Sequence, residues 1–129
     1  AKAFTMGSHG TTYGGNPVCC AASLAQITEI LDRNLTANAK EVGDYFMEKL
    51  RGLPLVKQVR GAGLLIGIQF EKPIGKDLKH GCIDRRLLVT LIGDRTIRLI
   101  PPLIASKQDC DKAYAILNEA VIEASKNVA

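Results

Sequence analysis

Residues 56–70 read VKQVRGAGLLIGIQF, and the fold follows from how that run alternates. Leu64, Ile66, Ile68 and Phe70 fall on one side of an extended chain, and Leu65, Gly67 and Gln69 on the other, the period of two that a half-buried strand requires. Val56 to Arg60 is a shorter extended candidate, and the Gly61-Ala62-Gly63 step between the two supplies a turn. An antiparallel hairpin with one wholly apolar face is therefore predicted.

Outward from the hairpin, the chain switches to helical spacing. Asn16-Pro17 is a good helix start, because the Asn side chain accepts an orphan amide bond and Pro has no amide to leave unpaired. The helix is expected to run to about Arg33, with Cys20 or Ala21, Leu24, Ile27 and Leu31 on one stripe, at a buried junction. Asn34 is placed to cap a second helix whose stripe is Leu35, Ala39, Val42, Phe46, Leu50 and Leu53, ending at Gly52 before Pro54. Beyond the hairpin, 76–86 reads as a shorter helix with Leu78, Cys82 and Ile83 inward. Two strands follow, 88–91 and 96–100, around a turn at Gly93-Asp94 and stopped by Pro101-Pro102. Ser106 with Asp109 resembles a capping box for a last helix whose stripe is Cys110, Ala113, Ile116 or Leu117, Ala120 and Ala124. The sum is an α+β (mixed α/β) fold, a mainly antiparallel sheet covered by helices on one face.

Composition narrows the function. The 129 residues are 47% hydrophobic and 23% charged, ordinary for a globular domain and too few for two complete ones. No apolar run has the roughly 18 to 20 residues of a membrane helix, and AKAFTMGSHG has no apolar leader. A chain that is neither exported nor in the membrane, and hence cytoplasmic, is expected. The net charge of +4 comes from basic residues spread along the chain, and with no Trp and few aromatics there is no stacking or basic stripe for nucleic acid. Cys19, Cys20, Cys82 and Cys110 follow no metal-ligand spacing, so no metal site is assigned and reduced thiols are expected.

The chemistry concentrates at 7–17, Gly-Ser-His-Gly-Thr-Thr-Tyr-Gly-Gly-Asn-Pro. Glycines permit close backbone approach, Ser8, Thr11 and Thr12 bring hydroxyl donors, and a helix N-terminus follows, which together are the parts of an anion-binding loop. The same residues are equally those of a turn-rich segment leading into a capped helix. No Gly-Lys-Ser/Thr triplet makes it a P-loop, and Gly61-Ala62-Gly63 opens a strand where a dinucleotide fingerprint needs a helix. His9 is read as structural, bonded to the loop backbone. Arg98, between Ile97 and Leu99, is either a strand residue turned to solvent or a planar clamp on a carboxylate. On these residues alone, a free-standing module that binds phosphate and carboxylate ligands stays open beside an enzyme.

Three blocks, His9-Gly10-Thr11-Thr12-Tyr13-Gly14-Gly15-Asn16-Pro17, Val59-Arg60-Gly61-Ala62-Gly63-Leu64-Leu65-Ile66-Gly67 and Ile97-Arg98-Leu99-Ile100-Pro101-Pro102-Leu103, resemble successive motifs of the class III, pyridoxal-phosphate-dependent aminotransferases, and within them the branch acting on ornithine derivatives. The resemblance spans essentially the whole chain, in family order. It implies that 1–16 ends the large cofactor domain of a fold-type I aminotransferase, and that 17–129 is the interdomain helix and small C-terminal domain. It implies pyridoxal 5'-phosphate as cofactor, a homodimer with shared active sites, and small amino-acid and oxo-acid substrates. Thr12 matches the threonine that bonds the cofactor phosphate of the neighbouring subunit, Thr11 a position near the acyl-amino substrate, and Arg98 the arginine that grips the substrate α-carboxylate. The lysine that carries the cofactor matches nothing here, Lys2 included, so no catalytic residue is assigned within the chain. One departure is Arg86, where the family often has Gly before Leu-Leu-Val; a backbone of positive φ there would cost a non-glycine residue about 1 kcal/mol.

Overall fold

A computed structural model describes residues 2–128. The chain divides into two compact units, Ala1–Arg33 and Asn34–Ala129. In the first, a loop leads into α1 (Pro17–Asp32). Asn16 caps it as expected: its Oδ1 accepts from the amides of Val18 (3.0 Å) and Cys19 (3.2 Å), and its carbonyl from Cys20 (2.9 Å). The stripe expected to be buried is not. No residue of α1 is buried, and Leu24, Ile27 and Leu31 all stand exposed. A lone helix cannot cover its own apolar face, and the loop of its unit folds on itself through Thr5 and Ser8. Cys19 and Cys20 are exposed with it.

The second unit holds α2 (Leu35–Leu50), β1 (Val56–Ala62), β2 (Leu65–Phe70), α3 (Gly75–Asp84), β3 (Thr90–Ile92), β4 (Thr96–Leu99) and α4 (Lys107–Ser125). Its sheet is antiparallel throughout, in the order β1-β2-β4-β3. β1 runs further than the sequence implied, through Gly61 and Ala62, because both keep pairing with β2, and Gly63-Leu64 make the turn. Leu64, Ile66, Ile68 and Phe70 are buried as the alternation required, joined by Ile97 and Leu99 of β4. Against that face lie the helices: Leu35, Ala39, Val42, Phe46 and Leu50 of α2, Leu78 and Cys82 of α3, and Cys110, Leu117, Ala120, Val121 and Ala124 of α4. Each large side chain so covered stabilises the fold by about 1.5–3 kcal/mol. No polar or charged residue is buried among the described residues. Burial pushes the Cys82 thiol up to about 11 and raises that of Cys110, so both are neutral packing groups.

Local chemistry sets the joints. Asn34 stands at the N-cap of α2, but with a left-handed backbone (φ 48°) and no capping bond from its side chain. The capping box of α4 is complete: Ser106 Oγ accepts from the Asp109 amide (3.2 Å) and Asp109 Oδ2 from the Ser106 amide (3.0 Å). Arg86 does adopt positive φ, 62°. It ends α3 in a Schellman turn, with the Leu87 amide donating to the Cys82 carbonyl and the Arg86 amide to Ile83, each at 2.8 Å. That turn brings Leu87 onto the core and leaves Ile83, expected inside, exposed. Asn38 ties the segment after the double proline to α2, its Nδ2 donating to the carbonyls of Leu103 (2.7 Å) and Ala105 (3.1 Å). Across the core, Lys49 Nζ and Tyr45 Oη both donate to Asp111 Oδ1 (2.5 and 2.6 Å), joining α2 to α4. Gly43 lets α2 meet the hairpin turn: a β-carbon there would stand 2.0 Å from the Gly63 carbonyl oxygen.

Candidate functional site

In the loop of the first unit, Thr11 and Thr12 do different things. Thr11 Oγ1 accepts from the Gly14 amide (3.2 Å) and closes the turn. The Thr12 hydroxyl has no hydrogen-bond partner among the described residues, and neither have the amides of Thr12, Tyr13 and Gly15. The helix end behind them is spent. Pro17 has no amide, and Asn16 takes those of Val18, Cys19 and Cys20. Whatever this loop offers an anion therefore comes from the Thr12 hydroxyl and the loop amides, and not from the free helix terminus the sequence suggested. His9 forms no hydrogen bond among the described residues and instead meets Phe4 edge to face, ring centroids 6.0 Å apart, because an exposed imidazole in an open loop has its polar needs met by water.

In the second unit, helices occupy one face of the sheet and the other is open. Register fixes what that open face carries. Arg60 of β1 pairs with Gly67 of β2, Gly67 with Arg98 of β4, and Arg98 with Thr90 of β3, so the four form one row on one face. Ile97 and Leu99 point the opposite way, into the core. Around the row lie Gln58, Ala62, Leu65, Gln69, Thr96 and Ile92, with no carboxylate among them. A shallow hollow of about 390 Å³ opens between Arg60, Gly67, Thr96 and Arg98. The Arg98 guanidinium makes no hydrogen bond or ion pair among the described residues, and that of Arg60 donates only to Gln58 Oε1, at 3.3 Å. Four other guanidiniums are engaged: Arg33 with Glu29, Arg51 with Glu48, Arg85 with Glu119 and Glu123, Arg95 with Asp94. A face with two cations, no acid and a hollow between them is suited to a carboxylate. The sequence marked Arg98 by its apolar neighbours; Arg60 escaped notice because only the cross-strand register brings it into the same row.

Among the described residues, no group of three or more His, Cys, Asp and Glu is placed to hold a metal ion, and no helix is long and apolar enough to cross a membrane.

The fold, an antiparallel sheet with helices on one face, is shared with known proteins. The Aminotransferase class-III family matches residues 1–121. The chain belongs to that family, which is pyridoxal-phosphate-dependent. It is 42% identical over 121 residues to Acetylornithine aminotransferase 1 of Bordetella bronchiseptica, covering 91% of this chain and 30% of that protein. It is 44% identical over 115 residues to Ornithine aminotransferase 2 of Staphylococcus aureus, covering 85% and 28%. The crystal structure of acetylornithine aminotransferase from Elizabethkingia anophelis superposes with a TM-score of 0.83 at 27% identity, over 95% of this chain and 32% of that one. The chain thus spans about 30% of the length of the curated relatives it matches.

Pyridoxal phosphate is compatible with what the loop presents. A phosphate needs hydroxyl and amide donors, and Thr12 with the amides beside it has them uncommitted.

Proposed function

We propose that residues 1–129 are the C-terminal part of a pyridoxal-phosphate-dependent aminotransferase that acts on acetylornithine with 2-oxoglutarate in arginine biosynthesis, with ornithine as the second choice of amino donor. In this reading 1–16 closes the large cofactor domain, 17–129 is the interdomain helix and small domain, and the enzyme is a cytoplasmic homodimer. The observation that carries it is the unpaired Arg98 on an acid-free sheet face, in a chain 42% identical to a protein named for acetylornithine. When bound, the cofactor supplies the electron sink through which an amino group passes between carbon skeletons. The chain's own contribution is to hold and orient. Thr12 donates its hydroxyl to the phosphate of the neighbouring protomer's cofactor, Thr11 shapes the loop beside the acyl-amino end of the substrate, and Arg98 fixes the α-carboxylate in two-point contact. The proton-transferring lysine belongs to polypeptide outside these residues, so the 129-residue chain alone is expected to be inactive.

A chimera tests this, with the chain replacing the matched region of the Bordetella bronchiseptica protein. Glutamate formation from acetylornithine and 2-oxoglutarate is expected, with the KM raised at least about tenfold in Arg98→Gln, since a charged bond of this kind contributes roughly 1.5–3 kcal/mol. A folded, cofactor-loaded chimera that is inert, or equally active with Arg98→Gln, refutes the assignment. A preference for ornithine moves it to the second donor, and turnover by the 129 residues alone removes the expectation of inactivity.

A further inference from the structure

We infer that Gly67 is a specificity-determining residue: its missing side chain keeps open the floor of the hollow beside Arg98, where the carbon chain of a carboxylate ligand lies directly on the backbone of β2. The inference rests on the reading of Arg98 as a carboxylate ligand, and concerns the room next to that contact, whichever amino donor is used.

The fold does not itself ask for glycine at this position. The hairpin holds Gly61, Gly63 and Gly67, and they differ. A β-carbon on Gly61 would stand 2.3 Å from the Leu65 carbonyl oxygen, and Gly63 has a left-handed backbone, φ 53°. Strand pairing therefore excludes a side chain at the first, and the turn strains one at the second. Gly67 has neither constraint. Its backbone is outside the left-handed region, and the nearest atoms to a β-carbon there would be the Arg60 Cγ and carbonyl oxygen at 3.8 Å and Arg60 Nε at 4.0 Å, ordinary contact distances. Yet β2 is bonded on both sides, to β1 and to β4, and in a strand interior glycine weakens the sheet and marks a place where a ligand or another backbone comes close.

What a side chain would fill is the room a ligand needs. Gly67 stands directly opposite Arg98 and lines the hollow with it, on the face the helices leave open. Opposed β-carbons of neighbouring strands lie about 4.5–5.5 Å apart. A methyl group at position 67 would thus stand beside the stem of Arg98, under the carbons that follow a carboxylate held by its guanidinium. Leu65, Ile92 and Thr96 rise around the same hollow, so the glycine is the low point over which a carbon chain can pass. A very short carboxylate reaches the guanidinium without crossing it, and a longer one does not. Discrimination by chain then resides at residue 67, and charge recognition at residue 98.

The test is a nuclear magnetic resonance titration of the ¹⁵N-labelled 129-residue chain with acetylornithine and, separately, acetate, following the Arg98 Nε signal in the parent, Gly67→Ala and Gly67→Val. Affinity for acetylornithine is expected to fall in that order, by roughly tenfold or more for Gly67→Val, while acetate changes less than about twofold, the scale on which a packed site registers single carbon groups. Urea midpoints of both variants are expected to equal or exceed that of the parent, because a side chain strengthens a strand interior. The inference is overturned if Gly67→Val binds acetylornithine as the parent does, if acetate weakens in parallel, or if the variants lose stability, which would make Gly67 a demand of the fold. An Arg98 signal that neither ligand moves in the parent removes the carboxylate reading of Arg98 and this inference with it. The enzyme assignment fails separately. An inert chimera alongside the graded loss removes that assignment and leaves the role of Gly67, whereas a chimera that transaminates, with acetylornithine binding unaltered in Gly67→Val, removes only the role of Gly67.

Discussion

Arg86 holds its backbone where glycine is at ease, and replacing it by glycine should make the protein more stable. Its φ of 62° places the β-carbon against the following carbonyl, a cost of about 1–2 kcal/mol for an L-residue. Glycine escapes that cost but brings extra freedom to the unfolded chain, about 0.5–1 kcal/mol in the other direction. The Arg86 side chain is exposed and forms no ion pair among the described residues, so little is lost with it. The balance for Arg86→Gly is a gain of about 0.5–1 kcal/mol, or roughly 2–8 °C in midpoint for a domain of this size. Arg86→Ala keeps the β-carbon and should stay within about 0.5 kcal/mol of the parent. Urea unfolding followed by circular dichroism measures both, and an unchanged slope shows that the folded and unfolded states kept their exposure. If glycine is no more stable than alanine at this position, the left-handed turn does not strain the chain and the reasoning fails.

Gly43→Ala should act in the reverse sense. Helix propensity favours alanine by about 1 kcal/mol, yet the new β-carbon would meet the Gly63 carbonyl at 2.0 Å. Separating helix from hairpin should leave a net loss of about 2 kcal/mol or more, and a stabilised variant in the same urea assay would show that the contact yields easily. Asp111→Asn probes pH dependence. Bonds from Lys49, then Tyr45, hold the Asp111 carboxyl below its ordinary 3.8, so its contribution is present above that value and lost as pH falls through the lower, folded one. Urea midpoints of the parent and Asp111→Asn should converge as the pH falls below the ordinary 3.8; parallel curves would remove Asp111 from the acid limb.

Much of the second unit was legible because its signals are periodic and local. The stripe of α2 and the alternation of Leu64 to Phe70 each name an inward face regardless of partners, and the Ser106/Asp109 box needs only its own four residues. What escaped depended on geometry beyond a single element. Ile83 has helical spacing with Leu78 and Cys82, but the Schellman turn at Arg86 gives the inner position to Leu87. Asn34 has a capping side chain, yet the backbone reverses there by left-handed φ instead. Leu24, Ile27 and Leu31 form an apolar stripe without specifying what covers it. At the site, Thr12 and Arg98 were singled out by resemblance to a family; their residue types alone left turn and solvent-facing readings open. The companion of Arg98 was beyond reach until strand register was known, since Arg60 lies thirty-eight positions away in sequence.

An interior without charge has a further bearing on how this fold holds its arrangement. With nothing ionised inside among the described residues, no internal partner can veto a misplaced helix by leaving a counterion stranded, so shape must choose among α2, α3 and α4. Orientation is then policed from outside, by Lys107 against Glu41 and by Arg85 against Glu119 and Glu123. Exchanges of aliphatic for aliphatic at Leu117 or Ile97 should pass with little penalty where volume is kept, whereas stripping those outer pairs together should loosen helix placement before it lowers overall stability.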